Sequence, residues 1–330
     1  MLELILASAL SVYAFYKIVK FAFADADSNL LSKGDHKSNA FQGKVVWCTG
    51  ASQGLGLTLV KHFAEHGARI ILSSRSAGRL EEVKASLPTH RNNVIVLPFD
   101  LCGSPDQLQK AAAAADASFD DAGVDYLIQN AGASQHAMAE DVSFSITDQM
   151  FDLNTLGPIK LTRAALPHML KRKKGRIVVI ASMAAIVPTP GQAIYSGCKM
   201  ALYGYFASLA TEVCDRGVGV TICCPGPVGS GSDEVVERKV FGPVGWICRT
   251  EEPNAKGKVH PKRYAQLVAN AAAHGVDECW IAKHPVLLVG HITQFAPRLG
   301  WYLLKKIGPK RARAVKEGRS GYDVKLGLAK

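Results

Sequence analysis

Tyr195 and Lys199 stand four residues apart in a helix-like run, YSGCKMALYGYFASLATEV. On a helix that spacing puts both side chains on one face, one turn apart. A phenol with an ordinary pKa of about 10 is a poor proton donor or acceptor near neutrality until a cation favours its ionised form. An ammonium one turn away is such a cation. The same spacing also arises by chance in an amphipathic helix, so the pair acquires meaning only beside a second reactant.

A place for that reactant is written near the front of the chain. KVVWCTG (44–50) reads as a strand and runs directly into T-G-A-S-Q-G-L-G and then a helix, LTLVKHFAEHG. Glycines at 50, 54 and 56 let the backbone turn tightly and approach a pyrophosphate, which a helix N-terminus stabilises. A bare structural βα turn uses glycine too, but strand before and helix after favour the nucleotide. The next strand ends Ser73-Ser74-Arg75 with no acidic residue to accept from a ribose 2′-hydroxyl. Arg75 suits a charge-assisted contact to a 2′-phosphate, or is a solvated loop arginine. NADP(H) is therefore favoured over NAD(H). Asp100, in LPFDL, suits an adenine amino group or the start of a helix.

The elements that must position these residues follow from apolar patterning. The runs 44–50, 68–74, 93–100, 124–132, 175–182 and 217–226 are nearly continuous in apolar residues, as befits strands covered on both faces. Helical patterns between them supply the crossovers. The expected fold is α/β, a doubly wound Rossmann-type parallel sheet over 41–285. The segment Pro227 to Lys258 follows the sheet and is expected to form the lid and pocket, with Val240, Phe241 and Trp246 fitting a large apolar ligand.

Together these residues resemble the short-chain dehydrogenase/reductase superfamily across 41–285. TGASQGLG resembles its cofactor turn and QNAG (129–132) its strand end. Asn154 in FDLNTLG falls at its helix asparagine, and Ser182 lies thirteen residues before Tyr195. Pro225 and Gly226, with Val228 and Ser230, resemble the segment that closes over a nicotinamide. The resemblance implies a catalytic set of Ser182, Tyr195, Lys199 and Asn154. Ser182 holds the substrate oxygen, Tyr195 moves the proton, Lys199 tunes it and grips ribose, and Asn154 holds a water. It implies cofactor contacts from Gly50, Ser52, Gln53, Gly54, Leu55, Gly56, Arg75, Asp100, Leu101, Asn130, Ala131, Gly132, Tyr195, Lys199, Pro225, Gly226, Val228 and Ser230. Gln129, Leu55 and Ser230 are mild departures from the pattern. Gln53 stands where NADP-binding relatives often carry a basic residue, which leaves Arg75 with less help.

The ends narrow the resemblance to the membrane-anchored dehydrogenase/reductase member-seven subgroup, which is similar to microsomal enzymes of lipophilic carbonyls. Leu4 to Tyr16 is thirteen residues without charge, and twenty residues reach Phe23 if Lys17 and Lys20 snorkel. Residues 1–24 are read as an uncleaved hydrophobic anchor, ahead of a signal peptide or a buried helix. The lysines after the apolar run place the body in the cytosol. Residues 286–330 are read as a basic amphipathic extension. The last fifty residues carry eleven Lys/Arg against two acids, most of the chain's net +11. Trp280, Phe295, Trp301 and Tyr302 beside those cations suit a membrane interface or a packed surface helix.

The expected partners are a lipophilic carbonyl or alcohol and a membrane surface, at the endoplasmic reticulum or a lipid droplet. No nucleic-acid motif accompanies the basic tail. Tyr203 and Tyr205 suit the core or a homodimer interface. Eight scattered cysteines without paired spacing argue for buried thiols in a reducing compartment. His62 and His66 have a zinc-compatible spacing but no evident third ligand, so no metal is expected. The activity expected is NADP(H)-dependent interconversion of a lipophilic alcohol and its ketone or aldehyde, a steroid, retinoid or other lipid, with reduction favoured when the cofactor is NADPH; the alternative is a non-catalytic nucleotide-binding subunit of a membrane complex.

Overall fold

The computed structural model describes residues 2–232, 235–251 and 257–319, with the backbone alone for 2–10, 14, 121 and 251. The six apolar runs form strands β1 (Val45–Thr49), β2 (Arg69–Ser73), β3 (Val94–Val96), β4 (Tyr126–Gln129), β5 (Gly175–Ile180) and β6 (Val218–Pro225). β3 stops well short of the expected 93–100, although the Leu97 and Phe99 N–H groups still donate to the Leu72 and Ser74 carbonyls at 2.9 and 3.1 Å. β7 (Val236–Phe241) and β8 (Trp246–Glu251) pair as a separate antiparallel hairpin. β9 (Glu278–Ile281) lies parallel to β6 and completes the order β3-β2-β1-β4-β5-β6-β9.

The helices, in chain order, are α1 (Leu2–Ala22), α2 (Ser28–Lys33), α3 (Gly54–Glu65), α4 (Ala77–Ser86), α5 (Pro105–Asp116) and the short α6 (Ser118–Asp121). They continue with α7 (Phe144–Phe151), α8 (Gly157–Arg172), α9 (Ala193–Val213), α10 (Pro261–Ala273), α11 (Val286–Phe295) and α12 (Pro297–Lys316). Alternation along fully buried β1 sends Val46 and Cys48 to one layer, Val45 and Trp47 to the other. α3 buries Leu59, Val60, Phe63 and Ala64 at helical spacing in the first layer, where Val268 and Ala269 of α10 join it. Leu108 of α5, Leu161 of α8 and Phe206 of α9 fill the second. Truncating a buried leucine such as Leu59 to alanine costs about 2–5 kcal/mol in such a core.

β1 and β4 are neighbours, yet the chain runs from β1 outward to β2 and β3 and from β4 outward the other way. That reversal opens a crevice at the carboxyl ends of β1 and β4, the place where doubly wound sheets bind ligands. The glycine turn follows β1, and Asn130-Ala131-Gly132 follows β4, so both reach it.

The two ends pack on the body. Arg263 of α10 pairs with Asp25 at 2.8 Å, and His284 Nε2 lies 2.7 Å from the Phe21 carbonyl. α12 returns to bury Ala314 and Val315, with Lys316 3.0 Å from Glu140. Among the described residues no helix is long and apolar enough to cross a membrane. Met1 of the expected anchor lies outside the described residues, as do 233–234 and 252–256 of the expected lid and 320–330 of the basic extension.

Candidate active site

The crevice is built on backbone that tolerates no side chain. Gly50 sits at φ +67°, where a Cβ would lie 2.9 Å from Ala131 Cα. A Cβ on Gly56 would lie 2.1 Å from the Gly50 carbonyl oxygen. Thr49 Oγ1 locks the two sides together, accepting from the N–H groups of Asn130 and Ala131 at 3.1 Å each. Asn130 Nδ2 answers by donating to the Thr49 carbonyl at 3.0 Å. α3 then starts at Gly54, its N-cap Gln53 giving no side-chain cap. The first amide groups of α3 thus face the crevice for an anion to satisfy.

A dinucleotide fits further along. Ser74 Oγ, at the end of β2, is buried with no hydrogen-bond partner. Beside it Arg75 is exposed, and Arg79 in the first turn of α4 donates to Gln53 Oε1 at 3.3 Å. Gln53 thus recruits a second cation to the turn where a basic residue is absent from the sequence. Asp100 spends one carboxylate oxygen on the Cys102 N–H at 3.0 Å, the local-turn alternative. Leu101 is buried against the start of α8. Pro225 and Gly226 leave β6, Val228 bridges to Val259, and Ser230 Oγ accepts from Ser232 at 3.4 Å. Ser52 and Leu55 lie in the turn itself.

The chemistry-bearing residues converge where β5, α7 and α9 end or begin. The residues 152–156 adopt a π turn between α7 and α8, a distortion common at functional sites. It aims fully buried Asn154 so that Oδ1 accepts from the Ala133 N–H at 3.0 Å and Nδ2 donates to the Met150 carbonyl at 3.1 Å. Gly132 lies between: a Cβ there would meet Asn154 Oδ1 at 2.7 Å and Lys199 Nζ at 3.4 Å. Lys199 Nζ donates to the Ile180 carbonyl at 2.9 Å and lies 5.8 Å from the centre of the Tyr195 ring. Burial, only partly offset by the Cys198 and Cys224 thiols, lowers the Lys199 ammonium from 10.5 to about 8. Ser182, buried after β5, accepts from the Ala184 N–H at 3.0 Å and donates to the Pro225 carbonyl at 3.5 Å. One side chain thereby joins the catalytic strand end to the segment over the crevice.

Gln135 is the residue that spacing could not reveal. It is almost fully buried, and its Oε1 accepts from the N–H groups of both Ile194 and Tyr195 at 3.1 Å. It caps α9 from a distant loop, where the local Gln192 supplies no side-chain cap. The same loop pairs with β7, His136 N–H donating to the Phe241 carbonyl at 2.8 Å. Phe241 packs with Ile146, Met150 and Cys198 beside Tyr195, and Trp246 stacks on it at 4.0 Å. An apolar wall therefore stands next to the Tyr195 ring.

Gln129, Cys198 and the two tyrosines of α9 make contacts within the chain. Gln129 does not face the crevice; its Nε2 donates to the Pro158 carbonyl and Thr162, tying β4 to α8. Burial pushes the Cys198 thiol up to about 11, which removes it as a nucleophile. Tyr203 donates to Glu278 at 2.7 Å within the chain, and Tyr205 packs edge-on against Phe206.

Known proteins resemble this chain in sequence and fold. The profile of the family described as short chain dehydrogenase matches residues 44–240. Dehydrogenase/reductase SDR family member 7 of Homo sapiens is 33% identical over 313 residues, 92% of this chain and 89% of that protein. A short-chain dehydrogenase from Streptomyces avermitilis superposes with TM-score 0.65 at 25% identity, covering 81% of this chain and 99% of that one. A short-chain dehydrogenase from Burkholderia cenocepacia, solved in complex with NADP, superposes with TM-score 0.63 at 21% identity over 78% of this chain and 96% of that one.

Proposed function

The chain belongs to the short-chain dehydrogenase/reductase family, oxidoreductases that bind a nicotinamide dinucleotide, and from that premise we propose that it uses NADP(H) to interconvert a lipophilic alcohol and its carbonyl at a membrane surface. The observation that carries the reading is the buried Lys199 ammonium set between Asn154, Gly132 and the Tyr195 ring. When bound, NADPH supplies the hydride. Ser182 hydrogen-bonds the carbonyl oxygen and stabilises charge developing on it. The Tyr195 hydroxyl gives that oxygen a proton, and Lys199 favours the phenolate left behind. Asn154 fixes the Gly132–Ala133 backbone beside the ammonium, where a water restores the proton. Gln135 holds the first turn of α9 and with it the Tyr195 backbone.

Exposed Arg75 after β2 and Arg79 on Gln53, with the unpartnered Ser74 hydroxyl, support NADP(H) over NAD(H). Phe241, Trp246, Ile146 and Met150 support an apolar substrate. Exposed apolar side chains support the membrane reading: Phe15, Ile18 and Phe23 of the leader, and Phe295, Trp301 and Tyr302 of α11 and α12. The two groups adjoin, because Phe21 packs on His284 and His291. The anchor over 1–24 then holds the body on the cytosolic face of the endoplasmic reticulum or on a lipid droplet.

The test is NADPH consumption by detergent-solubilised protein on carbonyls graded from short and polar to retinoid- and steroid-sized. The proposal expects kcat/KM to rise with apolar size and NADPH to outperform NADH. Preference for short polar carbonyls overturns the substrate class, and release of the protein from membranes by carbonate alone overturns the anchor.

A further inference from the structure

We propose that His36, His62 and His66 form a binding site for a divalent transition metal, with Zn2+ the best match to its donors. The sequence shows only two of the three, His62 and His66, which stand one turn apart on α3. The fold brings up the third from the segment between α2 and β1. His36 Nε2 lies 3.3 Å from His62 Nε2, and one ring nitrogen from each of the three residues lies within 4.8 Å of the others. Two nitrogens each about 2.0–2.1 Å from a tetrahedral zinc stand about 3.3–3.4 Å apart. The His36–His62 separation is already that distance.

The hydrogen bonds leave the right atoms available. His36 Nδ1 lies 2.9 Å from the Lys37 carbonyl and His66 Nδ1 2.8 Å from the His62 carbonyl. A carbonyl only accepts, so both Nδ1 atoms carry the hydrogen and both Nε2 atoms carry the lone pair. Ligating histidines are oriented in this way, the second ring nitrogen donating to a backbone carbonyl. His62 Nε2–H then donates to His36. Metal binding moves that hydrogen to His62 Nδ1 and releases no proton from the neutral cluster.

The ligands are also held before any ion arrives. The His36 N–H donates to Oδ1 of buried Asn270 on α10 at 3.0 Å, and its ring packs edge-on against buried Phe41 with centroids 5.0 Å apart. His66 borders a surface cavity shared with Gln42, Glu65 and His90, which gives an ion and a fourth, water ligand their way in. Imidazole donors select zinc, copper or nickel over calcium and magnesium. His62 lies eight residues into α3 from Gly54, about 12 Å along the axis from the cofactor turn. The ion would therefore take no part in hydride transfer. It clips the segment that carries the leader onto the helix that carries the cofactor.

The experiment uses full-length protein, stripped with chelator, kept in detergent and titrated first with Co2+ and then with Zn2+. The proposal expects one equivalent of Co2+ with the visible d–d bands of tetrahedral coordination and no thiolate-to-metal charge transfer. Zn2+ displaces it and raises the melting temperature. His36→Gln and His62→Gln each weaken binding about tenfold or more and abolish the thermal gain, while His90→Gln changes neither. NADPH binding reports that each variant has folded. His36 lies outside the sheet and its flanking helices, so that variant decides if His62→Gln misfolds. No stoichiometric spectrum, a thiolate charge-transfer band, or unchanged affinity in the folded variants overturns the proposal.

Discussion

Replacing Lys199 with methionine separates what the ammonium does for chemistry from what it costs the fold. Its drop from 10.5 to about 8 is about 2.5 pH units, or about 3 kcal/mol of penalty on the charged form at neutral pH. Methionine fills similar space without charge, but leaves the Ile180 carbonyl short of a donor, at about 1–3 kcal/mol. Lys199→Met is therefore expected to be as stable as the wild type at pH 7, or up to about 2 kcal/mol more stable, while turnover falls at least about a hundredfold. The sign of the pH dependence follows from linkage. Lys199 has a depressed folded pKa, so the unfolded chain binds more protons between about 8 and 10.5, and raising pH stabilises the wild type there. Methionine does not titrate. Wild type should gain about 2 kcal/mol relative to the variant between about pH 7 and about pH 9.5. Paired urea melts of the cofactor-free proteins measure this difference, in which the titrations of groups remote from Lys199 cancel. A difference constant over that range, or a variant more than about 2 kcal/mol less stable at pH 7, refutes a penalised buried ammonium.

Arg79→Ala should raise the KM for NADPH about tenfold and leave that for NADH nearly unchanged, and steady-state kinetics with both cofactors distinguish this from general damage. Gly56→Ala puts a methyl 2.1 Å from the Gly50 carbonyl and should abolish cofactor binding in fluorescence titration. Gln135→Ala strands two N–H groups at the start of α9, costing about 1–3 kcal/mol in urea melts and lowering kcat more than it raises KM.

What the sequence disclosed follows how local each signal is. β1 to β6 are apolar on both faces, so composition alone marks them, and the glycine turn and the Tyr195–Lys199 spacing are set by neighbours within one turn. β9 escaped because ECWI is four residues long and opens on a glutamate that pairs with Tyr203 and Trp280. The β7–β8 hairpin was expected only as a lid, since its alternating VERKVF is half polar and docks through backbone bonds to residues 134–136. Gln135 and His36 act on elements dozens of residues away, a pairing that only the fold creates. Arg79 becomes relevant because α4 turns it back to Gln53.

The most direct measurement is a comparison of Tyr195→Phe with wild type, NADPH binding by fluorescence beside turnover of the best carbonyl from the graded series. Phenylalanine keeps the ring against Lys199 and removes only the hydroxyl, so NADPH should bind both proteins alike while kcat falls by about 10²–10⁴. Turnover retained within about threefold, with binding unchanged, would contradict Tyr195 as the proton donor and return weight to the reading of a nucleotide-binding subunit.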